Sequence, residues 1–489
     1  MMAPHLNPAR HMLDGTIRVF FAEALFPLTG LLTAAFLTRN LGPADYGLLT
    51  LAATLVALVE GSIDSLLSRA TIKWVGQESN WKPVGTTVIR FYLFAGCAAA
   101  LGLWLSAQWV ATVLQEPMLA NYLGLFALDV PLHSLAQGHR NLLVGIGAFR
   151  PRAFVSACRW VARLLLIVTL VALGLSVSGA ILGSIGASLV ELIIARSYIQ
   201  PALLQPSTFR ARKLWGDAIP LFLFAMSWAL YNRLDLFLLK LSGGTSVQAG
   251  VYGAAQNLSV LPGVFAISFS PLLLATLSRI MGTGDVALAK EISTDAMRLI
   301  VGLLPFAGLT AGMAHEIVDF IFGPPFLQAA PLLALLIFGA AAMLMISVAT
   351  AILTAAGKPT WPIALTLPFL PLAAAGHLLL IPRFGAVGAA AVTSVFAMSA
   401  ALILVMAVHR LWKVIPPLTT AARSLLLCGL AFVLPSFWPT AGAMLFLKFS
   451  ALAILILGLF ALLGEFTAGE IALARSAFAW RAAPGRNPS

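Results

Sequence analysis

The sequence predicts an all-α, polytopic membrane protein. Apolar residues fill 60% of the 489 positions and charged residues only 10%, with a mean hydropathy of +0.96. The apolar residues gather in long runs, and Lys and Arg stand beside every second gap between runs. Such a composition lies far outside that of a soluble globular protein.

The runs cover residues 17–38, 46–68, 91–114, 119–138, 153–175, 177–199, 214–240, 248–275, 296–314, 327–356, 360–381, 386–408, 424–437 and 441–463. Most reach the roughly 20 residues a helix needs to cross about 30 Å of hydrocarbon, and the alternation of a membrane β-strand is missing. Fourteen transmembrane helices are therefore expected, with the narrowest separators at Ser176–Gly179 and Pro439–Gly442. The first run is too long, and lacks the cleavage context, for a secretory signal, so it reads as a helix.

Threading the chain from a cytoplasmic N-terminus puts Arg10 and Arg18, then Arg69, Lys73, Lys82 and Arg90, then Arg140, Arg150 and Arg152 on the inner side. The series continues through Arg196, Arg210, Arg212, Lys213, Lys358 and Arg410 to Arg475, Arg481 and Arg486, while the opposite side holds Arg39 and Arg383. Translocation disfavours Lys and Arg in short loops, so both termini are expected in the cytoplasm. The net charge of +12 then calls for no nucleic acid, because basic loops lie beside anionic phospholipids. Cys97, Cys158 and Cys428 have no CxxC spacing and read as small core residues rather than disulfide or metal ligands.

An internal echo suggests duplication. Arg39-Asn-Leu-Gly-Pro-Ala-Asp-Tyr-Gly47 joins the first two spans, and Ser242, Gly243 and Gly244, followed by Gly250, Val251, Tyr252 and Gly253, join the seventh and eighth. A second match pairs Gly183-Ser-Ile-Gly-Ala187 with Gly385-Ala-Val-Gly-Ala389. Two pseudo-symmetric six-helix bundles are expected at 1–205 and 206–415, with an additional transmembrane hairpin and cytoplasmic tail at 416–489. Duplicated bundles with a cleft between them suit an alternating-access transporter. The connections are too short for a nucleotide-binding or catalytic domain, and no P-loop sequence occurs, so neither an enzyme nor a cofactor is expected.

The segment Arg39–Gly47 resembles the first external hairpin of the polysaccharide transporter family, the lipid-linked oligosaccharide flippases of the multidrug/oligosaccharidyl-lipid/polysaccharide superfamily. Tyr252-Gly253, Gly357-Lys358-Pro359 and Gly385-x-x-Gly388-Ala389 extend the likeness. Within that motif Arg39, Gly42, Pro43, Tyr46 and Gly47 have structural roles. The resemblance implies translocation of undecaprenyl-diphosphate-linked oligosaccharide repeat units across the cytoplasmic (inner) membrane, for O-antigen, capsule or exopolysaccharide. It implies a lipid-linked glycan substrate and polysaccharide polymerase machinery as partners. The same superfamily holds the alternatives, a cation-coupled multidrug exporter and a peptidoglycan-precursor flippase.

Charges inside the spans mark the candidate site, because insertion of a charge at the bilayer centre costs roughly 2.5–3.5 kcal/mol. Glu60 and Asp64 share a helix face and form either a cation- or proton-binding pair or a structural contact to a basic residue. Arg233 is suited to a diphosphate by its planar fork or to a fixed ion pair, whereas Asp235 faces elsewhere and joins Glu60, Asp64 and Asp129 as a coupling or lumen-charge candidate. Lys240 is expected to snorkel. Arg159 and Arg163, on one face, could receive the diphosphate or contact phospholipid, as could Arg18. Asp129 and His133 share a face and form a proton relay or pair with an arginine; Glu191, His315, Glu316 and Asp319 complete the set, and no zinc site is expected. Trp74, Trp81, Trp109, Trp412 and Trp480 read as interface anchors.

Overall fold

The computed structural model describes residues 8–78, 80–202, 209 and 233–466, with side chains from Leu25 onward. Every regular element among them is helical. Eight helical stretches among the described residues are long and apolar enough to cross a membrane, which makes this a multi-pass membrane protein.

Three of these stretches are interrupted at glycine. The first, α1 (Pro8–Gln77), breaks at Gly42 (φ 74, ψ 173). A straight helix over its 53-residue apolar part, Leu25–Gln77, would extend about 80 Å, far beyond the hydrocarbon layer. Instead Phe26 on one arm and Ala57 and Glu60 on the other line the same cavity, so α1 is a hairpin. Gly42 takes the left-handed conformation that costs other residues most, and Pro43 opens the second arm, where its missing N–H is harmless. The expected Arg39–Gly47 connection is this turn. Arg39 Nε donates to the carbonyl of Ile321 at 3.2 Å.

The helix α2 (Trp81–Val113) starts at Asn80, whose side chain accepts from the Lys82 amide at 3.2 Å. The expected fourth span is divided into α3 (Met118–Phe126) and α4 (Asp129–Gly145). Next, α5 (Phe149–Leu170) runs through a π-helical turn, Val171–Leu175, into α6 (Ser176–Tyr198). Positive φ at Gly174 and Ser176 reverses the chain there, beside the separator expected from sequence. Gly183 then lies so close to Ile167 that a Cβ would come within 2.7 Å of it, which lets α6 lie along α5.

Of the expected seventh span only its end is described, as α7 (Leu234–Leu241). After it, Thr245 and Gln248 form a capping box that starts α8 (Ser246–Ser259). The two glycine-tyrosine hairpins, matched by sequence, are packed on each other: α8 crosses the second arm of α1 at Gly47 and Gly250. Tyr46 Oη accepts from Asn257 Nδ2 at 2.7 Å across this crossing.

The remaining elements are α9 (Gly263–Thr283), α10 (Val286–Gly302), α11 (Leu304–Gly312), α12 (Ala314–Phe322), α13 (Ala329–Ala355), α14 (Trp361–Thr366), α15 (Phe369–Trp412), α16 (Leu418–Val433) and α17 (Met444–Leu462). A break at Gly385 divides α15, and Gly388 faces the Leu380 carbonyl across it. The chain forms two compact units, one of residues 1–264, 321–336 and 367–396, the other of 265–320, 337–366 and 397–489. The second unit has a core around Leu277, Met297, Ile352, Leu404 and Val408, all fully buried. Trp412 joins that core instead of anchoring at an interface. Cys97 is exposed on α2, unlike the buried Cys428. Large apolar side chains such as Leu101, Trp104, Leu105 and Trp109 face outward from α2, as lipid contact requires.

Candidate functional site

Residues 1–264 enclose two adjoining lobes. The charged lobe, about 330 Å³, is built by the second arm of α1, α4 and α5. The hydroxyl lobe, about 300 Å³, lies between both arms of α1, α5, α6 and α8. They share Phe26, Ala57, Phe126, Trp160 and Arg163, so one cavity runs through both. Phe26 and Trp160 meet there with ring centroids 4.5 Å apart.

Six residues identified from sequence converge on the charged lobe: Glu60, Asp64, Asp129, His133, Arg159 and Arg163. Helical spacing carries Glu60 with Asp64 and Asp129 with His133 to it, since residues four apart share a face. His133 Nε2 is 3.9 Å from Glu60 Oε2. The other Glu60 oxygen and Asp129 Oδ1 are buried without a hydrogen-bond partner. Asp64 is anchored, accepting from Asn141 Nδ2 at 2.9 Å and from Tyr92 Oη at 3.4 Å.

The arginines divide into two kinds. Arg159 Nη1 lies 3.1 Å from Glu191 Oε2 and Arg140 Nη1 lies 3.3 Å from Glu191 Oε1, with the Glu191 side chain completely buried. Arg159 also stands 5.0 Å from the Trp160 ring centroid. Arg140 donates to Gln137 as well. By contrast, Arg163 has no ion pair or hydrogen bond among the described residues, and its Nε is buried without a partner. Arg233, exposed at the start of α7, lines the hydroxyl lobe and likewise has no side-chain partner among the described residues.

Among the described residues the hydroxyl lobe carries no acidic residue. Thr29, Thr33 and Thr50 line it, and each donates its proton at 2.7 Å to a carbonyl four residues back. The lobe therefore offers two guanidiniums, Arg163 and Arg233, and a set of hydroxyl oxygens on its wall.

Several residues fall elsewhere. The Arg18 side chain lies outside the described residues. Asp235 is buried and lines neither lobe, accepting from Tyr252 Oη at 2.6 Å, from Gln256 Nε2, itself on the wall of the hydroxyl lobe, at 2.9 Å and from Thr393 Oγ1 at 3.2 Å. Lys240 does not snorkel: it is buried and bonds Glu116 at 2.7 Å and the Gly244 carbonyl at 2.8 Å. Glu316 is held by the buried Lys448 at 2.7 Å. Among the described residues no three of His, Cys, Asp and Glu group to hold a metal ion. The sequence reading missed Arg140 as a lobe residue, although its position eleven after Asp129 places both on one face of α4.

Residues 36–331 match the family described as polysaccharide biosynthesis protein. The chain belongs to that family. Its fold is that of the superfamily's transporters. It aligns over 92% of its length with 98% of the lipid II flippase MurJ in an inward closed conformation, at a TM-score of 0.67 and 16% identity. An inward-facing multidrug resistance MATE transporter of the MOP superfamily aligns over 81% of this chain and 99% of its own, at 0.63 and 14%. A MOP superfamily transporter from Pyrococcus furiosus aligns over 83% and 96%, at 0.58 and 12%. No curated protein matches the chain.

Proposed function

We propose that this polysaccharide biosynthesis family member translocates undecaprenyl-diphosphate-linked oligosaccharide repeat units across the cytoplasmic membrane by alternating access, for surface polysaccharide or exopolysaccharide such as O-antigen. The observation that carries the reading is the pair Arg163 and Arg233, two guanidiniums along one cavity that have no direct ion pair or side-chain hydrogen bond among the described residues. A diphosphate presents paired anionic oxygens that match the guanidinium fork. The lipid tail would remain in the bilayer while the headgroup occupies the cavity, with the bundles at 1–205 and 206–415 as the moving parts. Both termini would lie in the cytoplasm, with anionic phospholipids and polysaccharide polymerase machinery as partners.

Glu60 and Asp129, each with an unpartnered buried oxygen, are the groups suited to bind and release a coupling cation or proton, while Asp64 fixes their surroundings. The same carboxylates favour the second reading, a cation-coupled exporter of amphipathic drugs. Purified protein in vesicles, supplied with a defined diphosphate-linked glycolipid and a leaflet-specific probe, decides between them. Protein-dependent movement of the glycolipid supports the proposal. Movement only of a cationic drug under a pH gradient supports the exporter, and movement only of lipid II supports a peptidoglycan-precursor flippase.

A further inference from the structure

Glu191 takes no part in the mechanism above, yet it is completely buried and lies between two arginines of the cavity wall. Arg140 and Arg159 line the charged lobe, whereas Glu191 stands behind them and does not. Neither of its oxygens has an aligned hydrogen bond in addition to the ion-pair distances of 3.3 and 3.1 Å. A buried ion triad of this kind is a poor stabilising device, because desolvating three charges consumes much of their attraction. Its effect on the lobe is plainer. Three guanidiniums, Arg140, Arg159 and Arg163, border one small space, and Glu191 engages two of them.

We infer that Glu191 is a positioning residue that sets the strength of anion binding in the cavity: by holding Arg140 and Arg159 it leaves Arg163, which interacts with Asp129 and Glu60 only at longer range, as the charged lobe's guanidinium without a direct ion pair among the described residues, so that a bound diphosphate is able to leave. This rests on the diphosphate reading of the site. A transporter needs its substrate bound firmly enough to enter and loosely enough to be released, and two further released guanidiniums beside Arg163 would outweigh the carboxylates of Glu60, Asp64 and Asp129 in the lobe and hold a diphosphate too tightly. Glu191 is placed to prevent that without touching the substrate.

The test uses full-length protein in phosphatidylcholine vesicles, with fluorescent undecaprenyl diphosphate as probe and fluorescent undecaprenol as its uncharged control. Glu191→Gln frees both arginines and should tighten diphosphate binding roughly tenfold or more while slowing the transfer rate at saturation. Freeing two buried cations also endangers folding, so the double variant Arg140→Gln with Glu191→Gln, which restores the net charge and frees only Arg159, is measured alongside. It should bind more tightly than the parent and less tightly than Glu191→Gln. Parent-like affinity in a folded double variant overturns the inference and makes Glu191 structural. A parent that prefers undecaprenyl diphosphate no more than undecaprenol removes the substrate reading and the inference with it, an outcome seen before any variant is examined.

Discussion

Gly47 and Gly250 cross with almost no space between their backbones: a Cβ on Gly47 would lie 1.9 Å from the Ser246 carbonyl oxygen, and one on Gly250 would lie 2.1 Å from that of Pro43. Both obstacles are main chain, which has no rotamer to change. Either Gly→Ala substitution must push α1 and α8 apart, a distortion that costs about 1–3 kcal/mol or more. Thermal unfolding in detergent should show a clear loss for either variant. Gly102→Ala, where nothing lies within 4 Å, is the control and should hold or slightly raise the midpoint.

Arg163 and Arg233 should act on transport more than on folding. Replacing either by Lys keeps the charge but loses the two-pronged donor, and Ala removes both. Loss of one well-aligned charged contact is worth roughly 1.5–3 kcal/mol, on the order of ten- to a hundredfold in initial rate. Vesicle transport normalised to folded protein should therefore fall in the order parent, Lys, Ala. Parental initial rates in both Ala variants would remove these arginines from substrate binding.

The end of α17 provides a pH-dependent stability test outside the spans. Burial pushes the Glu465 carboxyl up, but hydrogen bonds from Thr420 at 2.5 Å, Arg298 at 2.8 Å and Arg423 at 2.9 Å outweigh it and hold the group below its ordinary value of 4.5. A lowered folded-state pKa means the contribution is fully present above the ordinary value and disappears as pH falls through the folded one. Unfolding midpoints of the parent and Glu465→Gln should thus differ at neutral pH and converge in acid below about 4.5. A gap that is constant across that range would show that the carboxylate's charge is not what stabilises this corner.

Orientation is open to direct chemical test. On a background lacking Cys97, Cys158 and Cys428, a cysteine at Thr245 should react with an impermeant thiol reagent in intact cells, whereas ones at Arg152 and Arg212 should be protected. The reverse labelling pattern would invert the topology.

The hairpins were legible because turns have their own chemistry. Gly42-Pro43 marks a left-handed residue followed by a helix start, and the Gly174–Ser176 break adjoins the small-residue separator seen in the sequence. The division of the fourth span at Ala127–Leu128 had a signal that was passed over: Pro131 has no N–H to donate to the Ala127 carbonyl, so the helix restarts at Asp129 with the proline in its first turn. For the site, periodicity correctly placed Glu60 with Asp64 and Asp129 with His133, because same-face relations are internal to one helix. It could not say that these faces meet. Nor could it pair Lys240 with Glu116, which is 124 positions away, or Glu191 with Arg140 and Arg159, because such partners are chosen by helix packing rather than by local spacing.

The three threonines of the hydroxyl lobe have one more consequence. With each hydroxyl proton turned into its own helix, that stretch of wall shows outward lone pairs. A water beside these hydroxyls points its hydrogens at their oxygens, and turns its own oxygen toward the donors of the wall, Arg163, Arg233 and the unpartnered Trp160 Nε1. The solvent is thus already sorted before any ligand arrives: an anionic oxygen replaces water naturally at the two guanidiniums, while a hydroxyl-bearing group beside the threonines finds acceptors for the protons it brings.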